Sequence, residues 1–238
     1  MPTTITTAFV LAAGLGSRMR HLTQATPKPL IEVAGRSLLD RVLDGLVAAG
    51  VNKAVVNVHY LADQIETHLA QRDDPAIVIS DERGERLETG GGVKHALLEL
   101  GAAPFLIQNA DCFWLDDSGA NIARLCAAWD PARMDALLLL THADAAIGYD
   151  GRGDFDSDAD GRLQRRQPEH SAPFVFAGAS IAAPALFDDA PDGPFSLNVV
   201  WDRALVRGRL YGVAMAAGTW MHVGTPEAVA DAERRLAQ

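Results

Sequence analysis

Two glycines and three basic side chains near the N-terminus form the part of the chain best suited to chemistry. They lie in the run LAAGLGSRMR from Leu11 to Arg20, and Lys28 follows between two prolines. Glycine lets the backbone present its N–H groups closely to a ligand, while arginine offers a planar set of donors and lysine a mobile positive charge. The protein has a net charge of -10, yet its first acidic residue is Glu32. This stretch therefore predicts a site for a small polyanion, such as a phosphorylated ligand.

The glycine spacing alone does not identify the site. Gly14 and Gly16 lack the third glycine of the dinucleotide-binding G-x-G-x-x-G, because Met19 stands there, and the Gly-Lys pair of the P-loop does not follow. Taken alone, the two glycines fit an ordinary strand-to-helix turn equally well. The longer string, LAAGLGSRM followed by PKPL, resembles the signature of the sugar-1-phosphate nucleotidyltransferases. The later strings LETGGG, NAD, GRGDF and WMHVGT are similar to one bacterial branch, the N-acetylmuramate α-1-phosphate uridylyltransferases of cell-wall recycling, and the resemblance covers nearly the whole chain.

The resemblance implies transfer of a uridylyl group from UTP to a sugar 1-phosphate, with pyrophosphate as the leaving group. Arg18 would bind the β- and γ-phosphates, Lys28 would stabilise the α-phosphate in the transition state, and Asp111 would complete the catalytic set by holding a metal ion. The other expected nucleotide-binding residues are Leu11, Ala12, Ala13, Gly14 and Gly16 around the triphosphate, and Glu88, Gly90 and Gly91 at the uracil end.

Asp111 is the expected ligand of a catalytic Mg²⁺. It follows the apolar segment 105–108, and the ends of parallel strands open onto the ligand crevice of a doubly wound sheet. A strand-end turn is the plainer alternative, because Asn and Asp are common there. The resemblance favours the metal site, but its second ligand is an aspartate in the string W-x-D-V-G-T, where this chain has His222.

Three roles are open for His222. It could bind the ion directly, it could hold a metal-bound water or a phosphate oxygen, or it could mark the loss of the second ligand. Imidazole suits softer ions than Mg²⁺, so direct binding predicts that Mn²⁺ or Co²⁺ also supports activity.

The sugar 1-phosphate is expected against three residues that the resemblance supplies, namely Asn109, Asp154 and Gly178. Gly178 has a second explanation, since a lone glycine in a strand often marks a bulge. Many relatives neutralise the sugar phosphate with a lysine, whereas this chain offers Arg165 and Arg166 in the corresponding region.

Alternating strand and helix patterns predict the scaffold for these residues. Apolar runs, which predict strands, lie at 8–11, 51–58 and 77–80. Two helical patterns separate them: the first begins after Ser37, and the second covers 61–71. This order indicates a parallel sheet with right-handed crossovers. We therefore expect an α/β, Rossmann-like three-layer α/β/α nucleotidyltransferase fold, with a mainly parallel central sheet and a small lid or sugar-binding subregion.

The same patterns predict one domain over residues 1–238, with a nucleotide-binding half at about 1–115 and a sugar-phosphate-binding half at about 116–238. Three consecutive glycines, Gly90 to Gly92, are expected to precede a helix over 93–100. Such a run is typical of flexible connecting chain, but before a helix it favours a contact between the free N–H groups and the ligand.

Three patterns in the second half of the sequence predict further secondary structure. The segment 155–165 has the pattern of a hairpin that turns at Asp160-Gly161, and 173–182 that of an apolar strand. Thr225 and Pro226 predict the cap and first residue of a terminal helix.

Composition excludes several classes of function. The acidic balance argues against a nucleic-acid partner, and the sequence has neither an apolar run of about 20 residues nor a basic N-terminal signal, so we expect no membrane partner and a cytoplasmic protein. Cys112 and Cys126 lack the spacing of a zinc site or a disulfide framework. The expected partners are a nucleoside triphosphate and a sugar 1-phosphate, bound by a monomer or homodimer. Another sugar or base, or a non-catalytic nucleotide or sugar-phosphate sensor, remains an alternative.

Overall fold

The computed structural model describes residues 4–115, 119–147, 149–216 and 218–237. Its strands are β1 (Thr7–Leu11), β2 (Glu32–Val33), β3 (Arg36–Ser37), β4 (Lys53–Val58), β5 (Ala76–Asp81), β6 (Phe105–Asn109), β7 (Cys112–Leu115), β8 (Ala136–His142), β9 (Phe155–Ser157), β10 (Leu163–Arg165), β11 (Phe174–Ala182), β12 (Leu210–Ala214) and β13 (Thr219–His222). Its α-helices are α1 (Leu38–Ala48), α2 (Ala62–Leu69), α3 (Glu88–His95), α4 (Leu97–Leu100), α5 (Ala120–Ala128), α6 (Leu197–Val206) and α7 (Pro226–Leu236). Short 3₁₀ turns cover Ser17–Thr23, Lys28–Leu30 and Pro184–Phe187.

The central sheet is mixed but mostly parallel. Strands β5, β4, β1 and β6 are parallel neighbours, and β12 is parallel to β8. Strand β11 is antiparallel to both β6 and β8 and so joins the two parallel groups. The sheet therefore unites strands from both halves of the sequence. The predicted boundary, between about residues 115 and 116, falls where the described residues stop before residue 119.

Helices cover both faces of this sheet, as expected for three layers. In β1, Ala8 and Val10 belong to one buried apolar cluster, whereas Phe9 belongs to another. Successive side chains of a strand point to opposite faces, so β1 is buried on both sides. Helices α1, α2 and α5 contribute to the first cluster and α3, α4 and α6 to the second. The predicted α/β class and layering are confirmed.

Several element boundaries follow local signals that the sequence shows. The Ser37 hydroxyl accepts a hydrogen bond from the Asp40 amide at the start of α1, and the Thr225 hydroxyl accepts one from the Ala228 amide at the start of α7. Pro226 occupies the first turn of α7, where its missing N–H costs nothing. The predicted hairpin is also present, because β9 and β10 pair antiparallel on either side of residues 158–162.

One prediction about local structure was wrong, and one strand was missed. The three glycines do not precede a helix over 93–100, because α3 already begins at Glu88 and contains them. No strand was predicted after Asp111, yet β7 pairs antiparallel with β13, more than a hundred residues later in the sequence. Both differences come from tertiary contacts, which a local pattern does not report.

Gly178 forms the predicted irregularity of β11. The pairing of β11 with β8 shifts register between Phe176 and Ser180, and Gly178 has a φ of 87°. A Cβ added to Gly178 would lie 2.8 Å from the Cβ of Cys112. The bulge thus needs glycine both for its left-handed backbone and for its contact with β7.

We expect Gly178→Ala to lower the free energy of unfolding by about 2–4 kcal/mol, since the left-handed backbone and overpacking against Cys112 both act against alanine. Gly50→Ala is the matched control, because Gly50 has a φ of 91° but nothing within 4 Å of an added Cβ. Its free energy of unfolding should fall only by the cost of placing alanine in a left-handed backbone, about 1–2 kcal/mol. Urea unfolding of both variants measures the difference, and equal losses would show that the contact with Cys112 is unimportant.

Candidate active site

An open cleft of about 220 Å³ lies at the carboxyl ends of the parallel strands β1, β4, β5 and β6. Ligand sites of open α/β sheets lie at this edge. The lining residues come from the loop after β1, from the 3₁₀ turn at Lys28, from β4 and the segment after β5, from α3, and from the end of β6. They are Leu11, Ala12, Ala13, Gly14, Lys28, Pro29, Asn57, Glu82, Arg86, Glu88, Thr89, Asn109, Ala110 and Asp111.

Asn57 holds the loop after β1 in place through two hydrogen bonds. The Oδ1 atom of Asn57 accepts hydrogen bonds from the amides of Ala12 at 2.7 Å and Ala13 at 3.2 Å. A little further on, Gly16 has a φ of 64°, and an added Cβ would lie 3.0 Å from the Cβ of Lys28. Gly16 is therefore required by the turn and by the approach of Lys28, whereas an added Cβ at Gly14 would meet nothing within 4 Å.

Asn57 is itself paired with a buried acid that the sequence does not single out. Its Nδ2 atom donates to Glu82 Oε1 at 2.7 Å, and Glu82 Oε2 accepts from the Leu87 amide at 3.2 Å. Asn57 is 1% exposed and Glu82 is 2% exposed. Buried polar groups need such partners, so the pair couples the loop after β1 to the start of α3. Only their positions at the ends of apolar strands could have indicated this role.

Lys28 and Asp111 form an ion pair across the cleft. Lys28 Nζ donates to Asp111 Oδ2 at 2.7 Å, and Lys28 is 8% exposed. Pro27 is extended, with a φ of -65° and a ψ of 144°, and leads into the 3₁₀ turn that begins at Lys28. The structure thus brings together two of the three predicted catalytic residues. A nearly buried ammonium group is tolerated because the carboxylate pairs with it.

Asp111 also faces Cys112 and His222. His222 Nε2 lies 3.7 Å from Asp111 Oδ2, and the Cys112 thiol donates to Asp111 Oδ1 at 3.3 Å. Burial raises the pKa of Asp111, but the contacts with His222 and Lys28 outweigh that effect and hold this pKa well below its usual range. Asp111 is therefore an anion at neutral pH. Burial and the neighbouring Asp111 charge raise the pKa of Cys112, whose thiol keeps its proton.

Among the described residues, Asp111, Cys112 and His222 offer one donor atom each, and these atoms all lie within 4.8 Å of one another. A metal ion could therefore be held here, as was predicted from Asp111 and His222. The participation of Cys112 was not predicted, because sequence spacing gave no sign of the pairing between β7 and β13.

The ring of His222 is fixed by its neighbours. His222 lies opposite Cys112 in the β7–β13 pair, and its ring stacks on Trp220 with centroids 6.0 Å apart. Trp220 is anchored in turn, because its indole N–H donates to the Ala177 carbonyl at 3.0 Å. On the other side, a Cβ added to Gly224 would lie 2.9 Å from the His222 ring. The glycine of the string WMHVGT thus makes room for the imidazole.

Of the three residues expected at the uracil end, one lines the cleft and two are buried in the interior. Glu88 lines the cleft, begins α3 with a φ of 62°, and pairs with Arg86 at 3.0 Å. Gly90 and Gly91 are buried instead, and both amides donate to the Phe195 carbonyl, at 2.8 and 3.1 Å. Their N–H groups are therefore paired within the protein, contrary to the expectation that they are free.

The remaining predicted residues lie around the cleft or away from it. Arg18 is exposed on the 3₁₀ turn after Gly16 and is not among the residues that line the cleft, whereas Asn109 lines it next to Asp111. Asp154 accepts a hydrogen bond from the Phe176 amide at 3.0 Å and so ties the GRGDF segment to β11.

The two candidate arginines for the sugar phosphate are both engaged with the protein. Arg165 donates to Asp202 at 2.9 Å and to Asn198 at 2.7 Å. Arg166 donates to four backbone carbonyls, at 2.9 to 3.1 Å, including that of Gly153. Neither arginine lines the cleft in the described part of the chain.

Residues 8–180 match the family model of the MobA-like NTP transferase domain, and these residues include the loop, Lys28 and Asp111. The chain belongs to this nucleotidyltransferase family. The transferase is 50% identical over 235 residues to an N-acetylmuramate α-1-phosphate uridylyltransferase from Caulobacter vibrioides, with 97% of each chain covered. It is 34% identical to a protein of the same name from Neisseria meningitidis, with 92% of this chain and 93% of the other covered.

A solved structure of similar fold is HddC from Yersinia pseudotuberculosis in complex with GMP-PN. It matches the transferase with a TM-score of 0.75 at 21% identity, over 98% of this chain and 100% of that one. The predicted family and enzyme class are confirmed by these comparisons. The described helices of the transferase are all too short or too polar to span a membrane.

We expect the Asn57–Glu82 pair to be sensitive to substitution in a pH-dependent way. Asn57→Asp keeps the acceptor for the Ala12 amide but places a second carboxylate against Glu82, which should cost about 2–4 kcal/mol at about pH 8. Two carboxyl groups that share a proton bind it more tightly in the folded state, so the loss should shrink at about pH 5 and grow as the pH rises.

Asn57→Leu removes both hydrogen bonds and has no carboxyl of its own, so its loss should change less with pH. Exposed Asn52→Asp is the control for an added surface charge. Thermal or urea unfolding across this pH range measures all three variants. A loss in Asn57→Asp that does not depend on pH would contradict the proposed pairing with Glu82.

Proposed function

We propose that the protein transfers the uridylyl group of UTP to N-acetylmuramate α-1-phosphate, forming UDP-N-acetylmuramate and pyrophosphate. The observation that carries the proposal is the cleft in which the glycine loop after β1 faces the Lys28–Asp111 pair. The choice of base and sugar is supported by the 50% identical relative of that name. The family resemblance of the sequence would place this reaction in the recycling of cell-wall peptidoglycan in the cytoplasm.

The reaction needs positioning and neutralisation of charge, with no covalent intermediate. An oxygen of the sugar 1-phosphate attacks the α-phosphorus of UTP, a new P–O bond forms, and the bond to the bridging oxygen of the β-phosphate breaks. The electron pair of that bond leaves with pyrophosphate. Two anions must meet and a third must depart, so groups that offset negative charge in the transition state supply most of the catalysis.

Lys28 is the residue best placed to stabilise the α-phosphate. Its ammonium group reaches the cleft from a turn that packs against the glycine loop, and its ion pair with Asp111 holds it in place. The loop from Leu11 to Gly16 would bind the triphosphate, while exposed Arg18 would contact its β- and γ-phosphates by folding over the cleft. A planar guanidinium suits such phosphate oxygens.

The donors at Asp111 and His222 fit a divalent cation, since the carboxylate is ionised and the imidazole lies close to it. Such an ion, Mg²⁺ in the simplest case, supplies neutralisation of phosphate charge when it is bound. Asn109 lies beside Asp111 in the cleft and would contact the sugar phosphate. Asp154 and Gly178 would complete the sugar end, although one carboxylate oxygen of Asp154 already accepts the Phe176 amide.

A crossed assay of pyrophosphate release tests the proposal. Purified protein with Mg²⁺ is given UTP, dTTP, GTP or ATP together with the 1-phosphate of N-acetylmuramate, N-acetylglucosamine, glucose or mannose. We expect release only with UTP and N-acetylmuramate 1-phosphate. Release with another pair would retain the reaction class and refute the specificity. No release in any pair, with Mg²⁺, Mn²⁺ or Co²⁺ and also after His222→Asp, would favour a non-catalytic sensor.

We expect Lys28→Ala to lower kcat by about 10²-fold or more, because it removes positive charge that acts on the transition state. Lys53→Ala is the control, since Lys53 begins β4 at the opposite end of the sheet from the cleft. Steady-state kinetics with both substrates varied measure the effect, and circular dichroism checks the fold. A variant that raises only KM would show that Lys28 binds UTP without acting in the transition state.

A further inference from the structure

We propose that Cys112 is a metal ligand and that Asp111, Cys112 and His222 together form a three-donor site for a thiophilic divalent cation such as Co²⁺ or Zn²⁺. The proposal deepens the proposed function, because it concerns the ion that Asp111 would hold at the edge of the cleft, next to Cys112 and His222. It rests on that function only for the role of the ion in catalysis. The binding of the ion is inferred from the geometry of the three side chains.

The first support is the distance between donor atoms. Cys112 Sγ lies 3.3 Å from Asp111 Oδ1, and His222 Nε2 lies 3.7 Å from Asp111 Oδ2. All three donor atoms lie within 4.8 Å of one another. In a tetrahedral site with metal–sulfur distances of about 2.3 Å and metal–nitrogen or metal–oxygen distances of about 2.0–2.2 Å, the donors are separated by about 3.4–3.6 Å. Small rotations of the side chains would therefore satisfy such a site.

The second support is that the backbone directs the two softer donors to one place. Cys112 and His222 are directly opposite each other in the β7–β13 pair, so their side chains project on the same face. Each is also packed against a glycine. An added Cβ would lie 2.8 Å from Cys112 Cβ at Gly178 and 2.9 Å from the His222 ring at Gly224. These contacts restrict where the thiol and the imidazole can move.

The chemistry of the donors indicates which ions the site prefers. Mg²⁺ takes oxygen ligands in near-octahedral geometry, whereas thiolate and imidazole favour Zn²⁺, Co²⁺ and related ions. Three protein donors leave a fourth tetrahedral position, as in catalytic zinc sites. Binding replaces the proton of the Cys112 thiol with the metal, so one proton is released to solvent from that residue.

The consequence is that the protein can hold its ion without a nucleotide. A Mg²⁺ site with one or two carboxylates usually depends on phosphates and water for its remaining ligands. Here three protein donors would hold a softer ion first. Lys28 Nζ bonds to the same Asp111 oxygen that faces His222, so the ion would compete with Lys28 for that carboxylate.

Cobalt absorption spectroscopy on chelator-treated full-length protein, with no nucleotide or sugar, tests the inference. We expect Co²⁺ to bind with a stoichiometry of one and to give near-ultraviolet thiolate-to-cobalt charge-transfer absorption together with visible bands of tetrahedral intensity. Zn²⁺ should remove both signals, and Mg²⁺ in about 100-fold excess should not. Absence of charge-transfer absorption in the wild type would overturn the proposal.

Two variants locate the sulfur. Cys112→Ser should abolish the charge-transfer absorption and weaken Co²⁺ binding by more than about 10²-fold, beyond the usual effect of groups around the ligands. Cys126→Ser is the matched control, because Cys126 is the other free cysteine and lies on α5 outside the cluster. An unchanged spectrum in Cys112→Ser, or its loss in Cys126→Ser, would refute the assignment.

Two further measurements keep the test decisive. If Cys112→Ser fails to fold, Cys112→Ala replaces it. His222→Ala, with both cysteines intact, should weaken Co²⁺ binding, but the Co²⁺ that still binds should keep its thiolate-to-cobalt absorption. Proton release on Zn²⁺ binding should be greater by about one proton in the wild type than in the cysteine variant. Because none of these signals needs turnover, a protein that binds Co²⁺ through Cys112 yet transfers no uridylyl group would separate this inference from the proposed function.

Discussion

The buried pair of Asn57 and Glu82 is the interaction on which the cleft depends. A carboxyl group that is 2% exposed is tolerated only when its oxygens are hydrogen-bonded, and those of Glu82 accept hydrogen bonds from Asn57 and from the Leu87 amide. Asn57 extends the same requirement to the loop after β1, whose amides at Ala12 and Ala13 donate to it. One buried carboxyl group therefore fixes the relative positions of the glycine loop, β4, the end of β5 and the start of α3. A loop built for a ligand needs such support, because glycine alone leaves its backbone free.

Of the three glycines inside α3, Gly92 follows from this constraint, whereas Gly90 and Gly91 are required by the close approach of the segment 193–195. Glycine in a helix interior is unfavourable by about 1 kcal/mol relative to alanine, so three in succession need a tertiary explanation. An added Cβ at Gly92 would lie 2.5 Å from Glu82 Oε1, and one at Gly90 would lie 2.4 Å from the Phe195 ring. The helix is packed so closely against its neighbours that side chains have no room. The sequence string LETGGG therefore reflects packing against Glu82 and against the segment 193–195 as well as any contact with a nucleotide.

The sequence predicted those features that neighbouring residues determine. The capped starts of α1 and α7, the parallel strands β1, β4 and β5 and the hairpin all have signals within a few residues. Side chains that act through distant partners gave no such signal. Asn57 and Glu82 are spaced by twenty-five residues, and Cys112 meets His222 only through a pairing across half the chain. The cleft was thus predictable from its motifs, whereas the groups that hold it in shape were not.

The position of Lys28 connects the charge of the protein to its proposed chemistry. A chain of net charge -10 must present positive charge where a triphosphate binds, and a nearly buried lysine cannot remain without a partner. Asp111 satisfies it, but with the same oxygen that faces His222. A cation held by Asp111 and His222 would share that oxygen with Lys28, whose positive charge lies in the cleft where a phosphate would bind. The position of the lysine and the binding of an ion would therefore both depend on a single carboxylate, that of Asp111.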